Sequence, residues 1–218
     1  GATKGHQVFK FSPDGKLLLT IGKPGGAAPP ECCYQPNDVH TAPNGDIFVA
    51  DGHAGQNPTT PPDYVTRVVR FSKDGRFIKQ WGRLGSGPGE FRNAHALAID
   101  SRGRLMVADR GNARIQIFDL DGKFLEEWKQ FGRPSGLFID KDDRLYAIDA
   151  DSSAANNPGY KKGIRVGSAR DGKVALFVPG HQTDNPDGAA GEGIVADVAG
   201  NLYAAENTLK GVTKYAKR

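Results

Sequence analysis

Short runs of alternating apolar and polar residues, separated by Asp-Gly or Asn-Gly pairs, recur along the chain. The runs 68–71 and 77–81 flank one Asp-Gly pair, and the runs 115–118 and 124–128 flank another. Asp-Gly between alternating apolar runs is a strong signal for a β-hairpin. No segment sustains the 3.6-residue period of an amphipathic helix. The pattern therefore predicts an all-β chain.

The hairpins belong to a larger repeat. Four segments share the order strand, turn, strand, acidic residue, and they are 37–51, 95–109, 135–149 and 192–206. A second pair of strands follows in the same order, as in 68–82 and 115–128, and the segment 8–22 has the same form. Four short strands in a unit of about 40 residues are typical of a propeller blade. A β-sandwich also uses short strands, but it does not explain the recurring unit.

The repeat predicts one β-propeller domain over 1–218, with four-stranded antiparallel blades. Residues 1–22 are expected to end one blade, the segments 34–82, 91–130 and 131–180 to form full blades, and 189–218 to form the last. Either the two ends share a blade and close a small ring, or the chain is part of a larger propeller. An open arc leaves edge strands that tend to pair with other chains, so an edge-to-edge oligomer is expected if the ring is incomplete.

Charge and hydropathy narrow the choice of partners. The net charge is +4, and the basic residues are scattered through turns, which does not favour nucleic-acid binding. No apolar run reaches 18 residues, so the sequence predicts no transmembrane helix. Cys32 and Cys33 are adjacent. A strained disulfide between them, pairing with cysteines outside this chain, and free thiols all remain open.

Blade geometry predicts where a binding site lies. In an up-and-down blade, the start of strand one and the end of strand two lie on the same face, and strand one lines the central channel. One mouth of the channel is therefore expected to be ringed by polar residues that start strand one, namely Asn37, His95, Ser135 and Glu192. The acids that end strand two are expected to join them, namely Asp51, Asp109, Asp149 and Glu206. A small polar molecule or peptide is the expected ligand.

The spacing of the blades adds a second reason to consider this face. The strand-one starts are 58, 40 and 57 residues apart, and the two longer blades carry their extra residues after strand two, at 53–64 and 152–160. Insertions on one face often mark a binding face. The alternative is a pair of tolerated surface loops.

Several stretches in order carry a family resemblance. They are 35–39, 48–52, 75–82, 88–91, 95–98 and 107–116. They resemble NHL-type repeats and, within them, the catalytic propeller of peptidyl-α-hydroxyglycine α-amidating lyase and related bacterial propellers of no assigned activity. The resemblance implies a six-bladed parent in which this chain begins inside the second blade. It also implies a periplasmic or secreted location.

The resemblance also implies site roles. In the lyase, three histidines at strand-one starts bind zinc, and an arginine and a tyrosine act on the substrate. His95 matches one zinc histidine, and Glu192 falls where another stands. Arg110 matches the arginine, and His53 falls where the tyrosine stands. Glutamate is a competent zinc ligand.

Two classes of function remain open at this point. One is a non-catalytic NHL-type module that binds a ligand or partner at the channel mouth and loop face. The other is a metal-dependent lyase or hydrolase. Arg110 either clamps a substrate carboxylate or forms an ion pair between blades. The strand-two acids either bind calcium or accept hydrogen bonds from their own turns.

Overall fold

The computed structural model describes residues 5–26, 31–181, 190–206 and 209–217. The ends of the predicted first and last blades, within 1–22 and 189–218, therefore lie partly outside the described residues. The described part is built from short strands, two 3₁₀ turns (Ala54–Gln56 and Arg110–Asn112) and connecting loops. The strands are β1 (Val8–Phe11), β2 (Leu17–Ile21), β3 (Pro36–Thr41), β4 (Ile47–Asp51), β5 (Arg67–Phe71), β6 (Phe77–Trp81), β7 (Ala94–Ile99), β8 (Leu105–Asp109), β9 (Arg114–Phe118), β10 (Phe124–Trp128), β11 (Pro134–Ile139), β12 (Arg144–Asp149), β13 (Gly163–Ser168), β14 (Val174–Pro179), β15 (Gly193–Ala196), β16 (Leu202–Glu206) and β17 (Gly211–Tyr215).

The strands form antiparallel sheets in strict chain order, which confirms the predicted all-β propeller. Blade one is β3–β6, blade two is β7–β10, blade three is β11–β14, and blade four contributes β15–β17. The pair β1–β2 forms a separate two-stranded hairpin. The first strands of the blades, β3, β7, β11 and β15, are neighbours in that order, so they form the inner side of the arc.

The outer hairpins have the predicted turn chemistry. In the β5–β6 turn, the N–H of Gly75 donates to the carbonyl of Ser72 at 2.9 Å, and Gly75 has a φ of +79°. In the β9–β10 turn, Gly122 donates to Asp119 at 3.0 Å with a φ of +80°. Glycine adopts this left-handed conformation without a steric penalty. The Asp-Gly pairs therefore fix the register of both hairpins.

The hydrophobic core is divided among the interfaces between successive blades. Between blades one and two, Phe48 and Val68 pack with Phe91, Leu97 and Phe118. Equivalent clusters lie between the other neighbouring sheets, with Met106, Ile115, Trp128 and Leu145 between blades two and three, and Tyr146, Ile164, Leu202 and Ala204 between blades three and four. The sheets of blades one to three are apolar on both faces because each of them packs against another sheet on either side. This stacking holds the strand-one starts side by side.

Cys32 and Cys33 are bonded to each other in a disulfide, with a cis peptide between them and their Cα atoms 3.0 Å apart. Of the three states that the sequence left open, the structure therefore has the disulfide between the two neighbours. Both residues are buried against Ile21 and Val69, in the cluster that joins the β1–β2 hairpin to blade one. Among the described residues, no helix has the length and apolar character needed to cross a membrane.

Candidate functional site

A β-bulge occurs at the start of the first strand in each full blade. The pairing with strand two skips from Pro36 to Asp38, from Ala94 to Ala96, and from Pro134 to Gly136. The residues left out of the ladder are Asn37, His95 and Ser135. A bulge redirects its side chain and often occurs beside a functional site. The strand-one residues selected from the sequence therefore occupy one structural position in three blades.

Glu192 has a related place in blade four. It directly precedes β15, and its N–H donates to the carbonyl of Ala205 at 2.8 Å, beside the Gly193–Ala205 pair. Its side chain is about one-third exposed. The bulged residue of blade one, Asn37, forms a hydrogen bond with the next blade. Its side-chain amide donates to the carbonyl oxygen of Ala94 at 2.8 Å and so links blade one to blade two.

The acids that end strand two lie inside the blades. The carboxylates of Asp51, Asp109 and Asp149 are buried, and each pairs with an arginine of the neighbouring strand three. The pairs are Asp51–Arg67 at 2.9 Å, Asp109–Arg114 at 2.9 Å and Asp149–Arg165 at 3.2 Å. Each carboxylate also accepts backbone N–H bonds from the segment that leads into its own strand one. These bonds give the acids a structural role within each blade.

Glu206, the matching acid of blade four, has a different partner. Its carboxylate lies 3.3 Å from Nε2 of His181. Within the described part of the chain, neither of its carboxylate oxygens accepts a hydrogen bond. Among those residues, blade four therefore lacks the pair of acid and arginine that each of the other three blades contains.

Arg110 joins side chains of all four blades. Its guanidinium is buried and donates to the carboxylate of Glu192 at 3.0 Å and to the hydroxyl of Ser135 at 3.4 Å. It also donates to the side-chain oxygen of Gln56 at 3.3 Å and to Nε2 of His53 at 3.4 Å. The 3₁₀ turn after β8 presents the guanidinium toward these partners. Burial lowers the pKa of Arg110, while the charge of Glu192 opposes that shift.

His95 is fixed in one tautomer by its neighbour. Its Nδ1 lies 2.6 Å from the carbonyl of Ser135, which only accepts, so Nδ1 carries the proton. Burial, with a smaller contribution from the charge of Arg110, lowers the pKa of His95 to about 4, and the hydrogen bond to the Ser135 carbonyl opposes this shift. His95 is therefore neutral at pH 7. Its Nε2, which has no proton, lies 3.7 Å from the carboxylate of Glu192.

His53 completes the cluster from the first insertion. Its ring lies 5.5 Å from that of His95, centre to centre. Since Arg110 only donates, Nε2 of His53 is an acceptor and Nδ1 carries the proton. Burial lowers the pKa of His53, and Arg110 adds to the effect.

The structure adds two residues that the sequence interpretation did not single out, Gln56 and Arg133. Gln56 lies in the first insertion, and Arg133 directly precedes β11. Arg133 pairs at 2.6 Å with Asp151, which follows β12, and donates to the side-chain oxygen of Gln56 at 3.4 Å. The position of Gln56 after strand two was a usable signal, since both insertions lie on this face.

A metal site requires several donor side chains around one point. Among residues 5–26, 31–181, 190–206 and 209–217, no group of three His, Cys, Asp or Glu side chains is placed to hold one. His95 and Glu192 face a common point, but catalytic zinc takes three protein ligands. The described residues therefore do not form a complete zinc site, and zinc and calcium stay predictions.

Comparison with known proteins identifies relatives for about half of the chain. A family model described as a 6-bladed beta-propeller matches residues 63–153. NHL repeat-containing protein 3 of Homo sapiens is 37% identical over 117 residues, 52% of this chain and 31% of that protein. Peptidyl-glycine alpha-amidating monooxygenase of Mus musculus is 42% identical over 124 residues, 52% of this chain and 11% of that protein. Peptidyl-alpha-hydroxyglycine alpha-amidating lyase 1 of Drosophila melanogaster is 36% identical over 128 residues, 52% of this chain and 21% of that protein. The match thus spans less than one-third of each relative.

Solved structures extend the likeness in fold to nearly the whole chain. A protein of unknown function from Bacteroides caccae aligns with a TM-score of 0.60 and 13% identity, over 98% of this chain and 75% of that one. A gluconolactonase from Xanthomonas campestris aligns with a TM-score of 0.63 and 20% identity, over 96% of this chain and 64% of that one. At these identities the likeness concerns the fold alone. The chain is therefore a β-propeller protein that matches a six-bladed family model and has homologues among NHL-repeat proteins and peptidyl-hydroxyglycine amidating lyases.

Proposed function

We propose that the chain binds a small ligand at the channel mouth, and that this ligand carries both an acid group and a hydrogen-bond donor. The observation that carries the proposal is the convergence of side chains from four blades on the guanidinium of Arg110. An arginine suits a carboxylate because its planar N–H groups match the two carboxylate oxygens. The carboxylate of Glu192 contacts part of this donor set, at 3.0 Å from Nη1 of Arg110.

The need for a donor on the ligand follows from His95. Its Nε2 carries no proton and is an acceptor, and it lies 3.7 Å from the carboxylate of Glu192. An acceptor nitrogen is satisfied by a group that donates to it, such as a hydroxyl or an amine. A ligand that places its acid on Arg110 and its donor at this point meets both requirements.

The surroundings support a ligand of modest size. An open depression of about 520 Å³ lies beside His53, and Gln35 and Asn37 line it on the side of blade one. Small-molecule sites in proteins commonly have volumes of about 300–1,000 Å³. His53 lines this depression and accepts from Arg110 at 3.4 Å, so it connects the depression to the buried guanidinium.

A second candidate function is lyase activity of the kind named for the Drosophila relative. An α-hydroxyglycine ligand has the acid and the donor that the site calls for. Nε2 of His95 would accept the hydroxyl proton while Arg110 holds the carboxylate. As the carbon–oxygen double bond forms and the carbon–nitrogen bond breaks, that proton would pass to the departing nitrogen, which releases an amide and glyoxylate. The observation that favours it is the unprotonated Nε2 of His95 facing Glu192. No step is assigned to a metal ion.

Calorimetric titration with three related probes tests the binding proposal. N-acetyl-α-hydroxyglycine carries both groups, N-acetylglycine lacks the hydroxyl, and N-acetylglycinamide lacks the acid and the hydroxyl. Affinity is expected to fall in that order. Arg110→Gln is expected to reduce affinity for the two acids about ten-fold or more, because it removes the charge-assisted pair.

The matched control is Arg144→Gln, since the side chain of Arg144 is half exposed in the turn that starts β12. It should leave the affinities unchanged. Equal binding of N-acetylglycine by the Arg110→Gln variant and the unchanged protein would reject the proposal. If the unchanged protein releases glyoxylate from N-acetyl-α-hydroxyglycine and the His95→Gln variant does not, the result would support lyase activity. If the unchanged protein binds this probe and releases no glyoxylate, only the binding function would be supported.

A further inference from the structure

We propose that Gln56 determines the charge specificity of the channel mouth. Its neutral amide contacts both Arg110 and Arg133, so the positive charge of the two guanidinium groups stays available to the acid group of one ligand. The inference rests on the proposed function and names what makes that site selective for an anion. It assigns a role to the insertion of blade one, which carries Gln56 over the arginines of blades two and three.

One oxygen atom links the two guanidinium groups. The side-chain oxygen of Gln56 accepts from Nε of Arg110 at 3.3 Å and from Nη2 of Arg133 at 3.4 Å. Both contacts are longer than the 2.9 Å typical of N–H···O bonds. Since one oxygen atom contacts both guanidinium groups, each cation lies within the electrostatic field of the other.

Two pairs of opposite charge lie beside Gln56. Arg110 pairs with Glu192 at 3.0 Å, and Arg133 pairs with Asp151 at 2.6 Å. The formal charges of these four side chains sum to zero. A ligand acid would add a negative charge to these two pairs, beside two cations.

A carboxylate at position 56 would make shorter, charge-assisted bonds to both arginines. The chain has a glutamine at this position, although glutamate has the same length and shape and would stabilise the fold more. A residue that lowers stability in this way is typical of a functional site. With glutamate, the mouth would already hold one excess negative charge, and a ligand acid would be repelled.

Two glycines fix the amide in this place. A Cβ on Gly55 would lie 2.1 Å from the carbonyl oxygen of Arg92. A Cβ on Gly111, next to Arg110, would lie 2.5 Å from Cβ of Arg92 and 3.0 Å from Cβ of Gln56. The two 3₁₀ turns thus pack closely around Arg92, and a side chain at either glycine would separate them. This packing holds Gln56 over Arg110 independently of the amide contacts.

The test compares Gln56→Glu with Asn57→Asp, which makes the same change of charge on the neighbouring exposed side chain. Titration uses N-acetylglycine and its neutral amide. Gln56→Glu is expected to weaken binding of the acid about ten-fold or more, leave the amide within about two-fold, and raise the melting temperature. Asn57→Asp should change neither affinity by more than about two-fold, because its added charge is screened by solvent.

Gln56→Met separates charge from hydrogen bonding, since it keeps the length and removes both contacts. It is expected to weaken acid binding less than Gln56→Glu. Equal losses in the two variants would overturn the role of charge, as would unchanged acid binding in Gln56→Glu. If Arg110→Gln abolishes acid binding and Gln56→Glu does not affect it, only this inference fails. If Arg110→Gln has no effect, the proposed function itself fails.

Discussion

Two sets of polar side chains lie at the same end of the blades, and they differ in what their polar atoms contact. The strand-two acids of blades one to three, Asp51, Asp109 and Asp149, repeat one residue type, are buried, and pair with arginine inside their own blade. The bulged residues of strand one vary from blade to blade, and His95 and Ser135 contact side chains or carbonyls of other blades. The difference indicates that the repeated position holds each blade together, while the varied position carries specificity.

The largest expected effect is on the repeated position. Asp109→Asn removes the charge that pairs with Arg114, and the side chain of Arg114 is only 4% exposed. Arg114 keeps a second partner, Glu127 at 2.7 Å, so the expected loss of unfolding free energy lies near the lower end of the about 3–5 kcal/mol that breaking a buried ion pair costs. Chemical denaturation measures the loss. A loss below about 1 kcal/mol would show that these ion pairs do not stabilise the blades. It would contradict the difference inferred between the repeated and the varied positions.

The next effect concerns the varied position and depends on pH. The folded pKa of His95 is about 4, below its ordinary value of 6.5. The unfolded chain therefore takes up a proton at a higher pH than the folded chain does. The stabilising contribution is complete above pH 6.5 and is lost as the pH falls toward 4, with a maximum of about 3 kcal/mol.

Denaturation curves between pH 7 and pH 4.5 check this, with His95→Gln as the reference variant. The unfolding free energy of the unchanged protein should fall more steeply on acidification than that of the variant. Arg110 and His53 oppose protonation of His95, whereas the carbonyl of Ser135 and the charge of Asp151 favour it. Parallel curves would mean that His95 is not held neutral by its surroundings.

A smaller effect is expected in blade four. Glu206 is buried, and its described partner is His181 at 3.3 Å rather than an arginine. Glu206→Gln keeps the shape and removes the cost of burying the charge, so stability should stay within about 1 kcal/mol or rise. The measurement is the same denaturation curve as for Asp109→Asn. A loss as large as in Asp109→Asn would erase the distinction between blade four and the other blades.

The smallest effect is expected at an exposed ion pair. Lys141 and Asp142 lie 2.9 Å apart in the turn between β11 and β12, and both side chains are well exposed. Asp142→Asn should change the unfolding free energy by less than about 0.5 kcal/mol, because solvent screens such pairs. This variant is the matched control for Asp109→Asn, since it makes the same substitution outside the core.

The sequence was sufficient to predict the strands, the turns and the order of the blades. Alternating apolar runs and Asp-Gly pairs are local signals, and Gly75 and Gly122 adopt the conformation that those turns require. The sequence did not reveal that Gln56 contacts both Arg110 and Arg133. Those contacts join residues 54 and 77 positions apart, and no local pattern records such a distance.

By itself, the sequence determined an all-β propeller with one polar residue at the start of each inner strand. Hydrophobic alternation and turn chemistry act over a few residues, so they can be recognised in the chain. Only the tertiary structure decided which polar residues pair inside a blade and which meet across blades. The three strand-two aspartates are turned toward strand three by the ladder, whereas the bulge turns His95 and Ser135 out of it. Burial, charge and the packing of neighbouring blades then bring Arg110, His95 and Glu192 together.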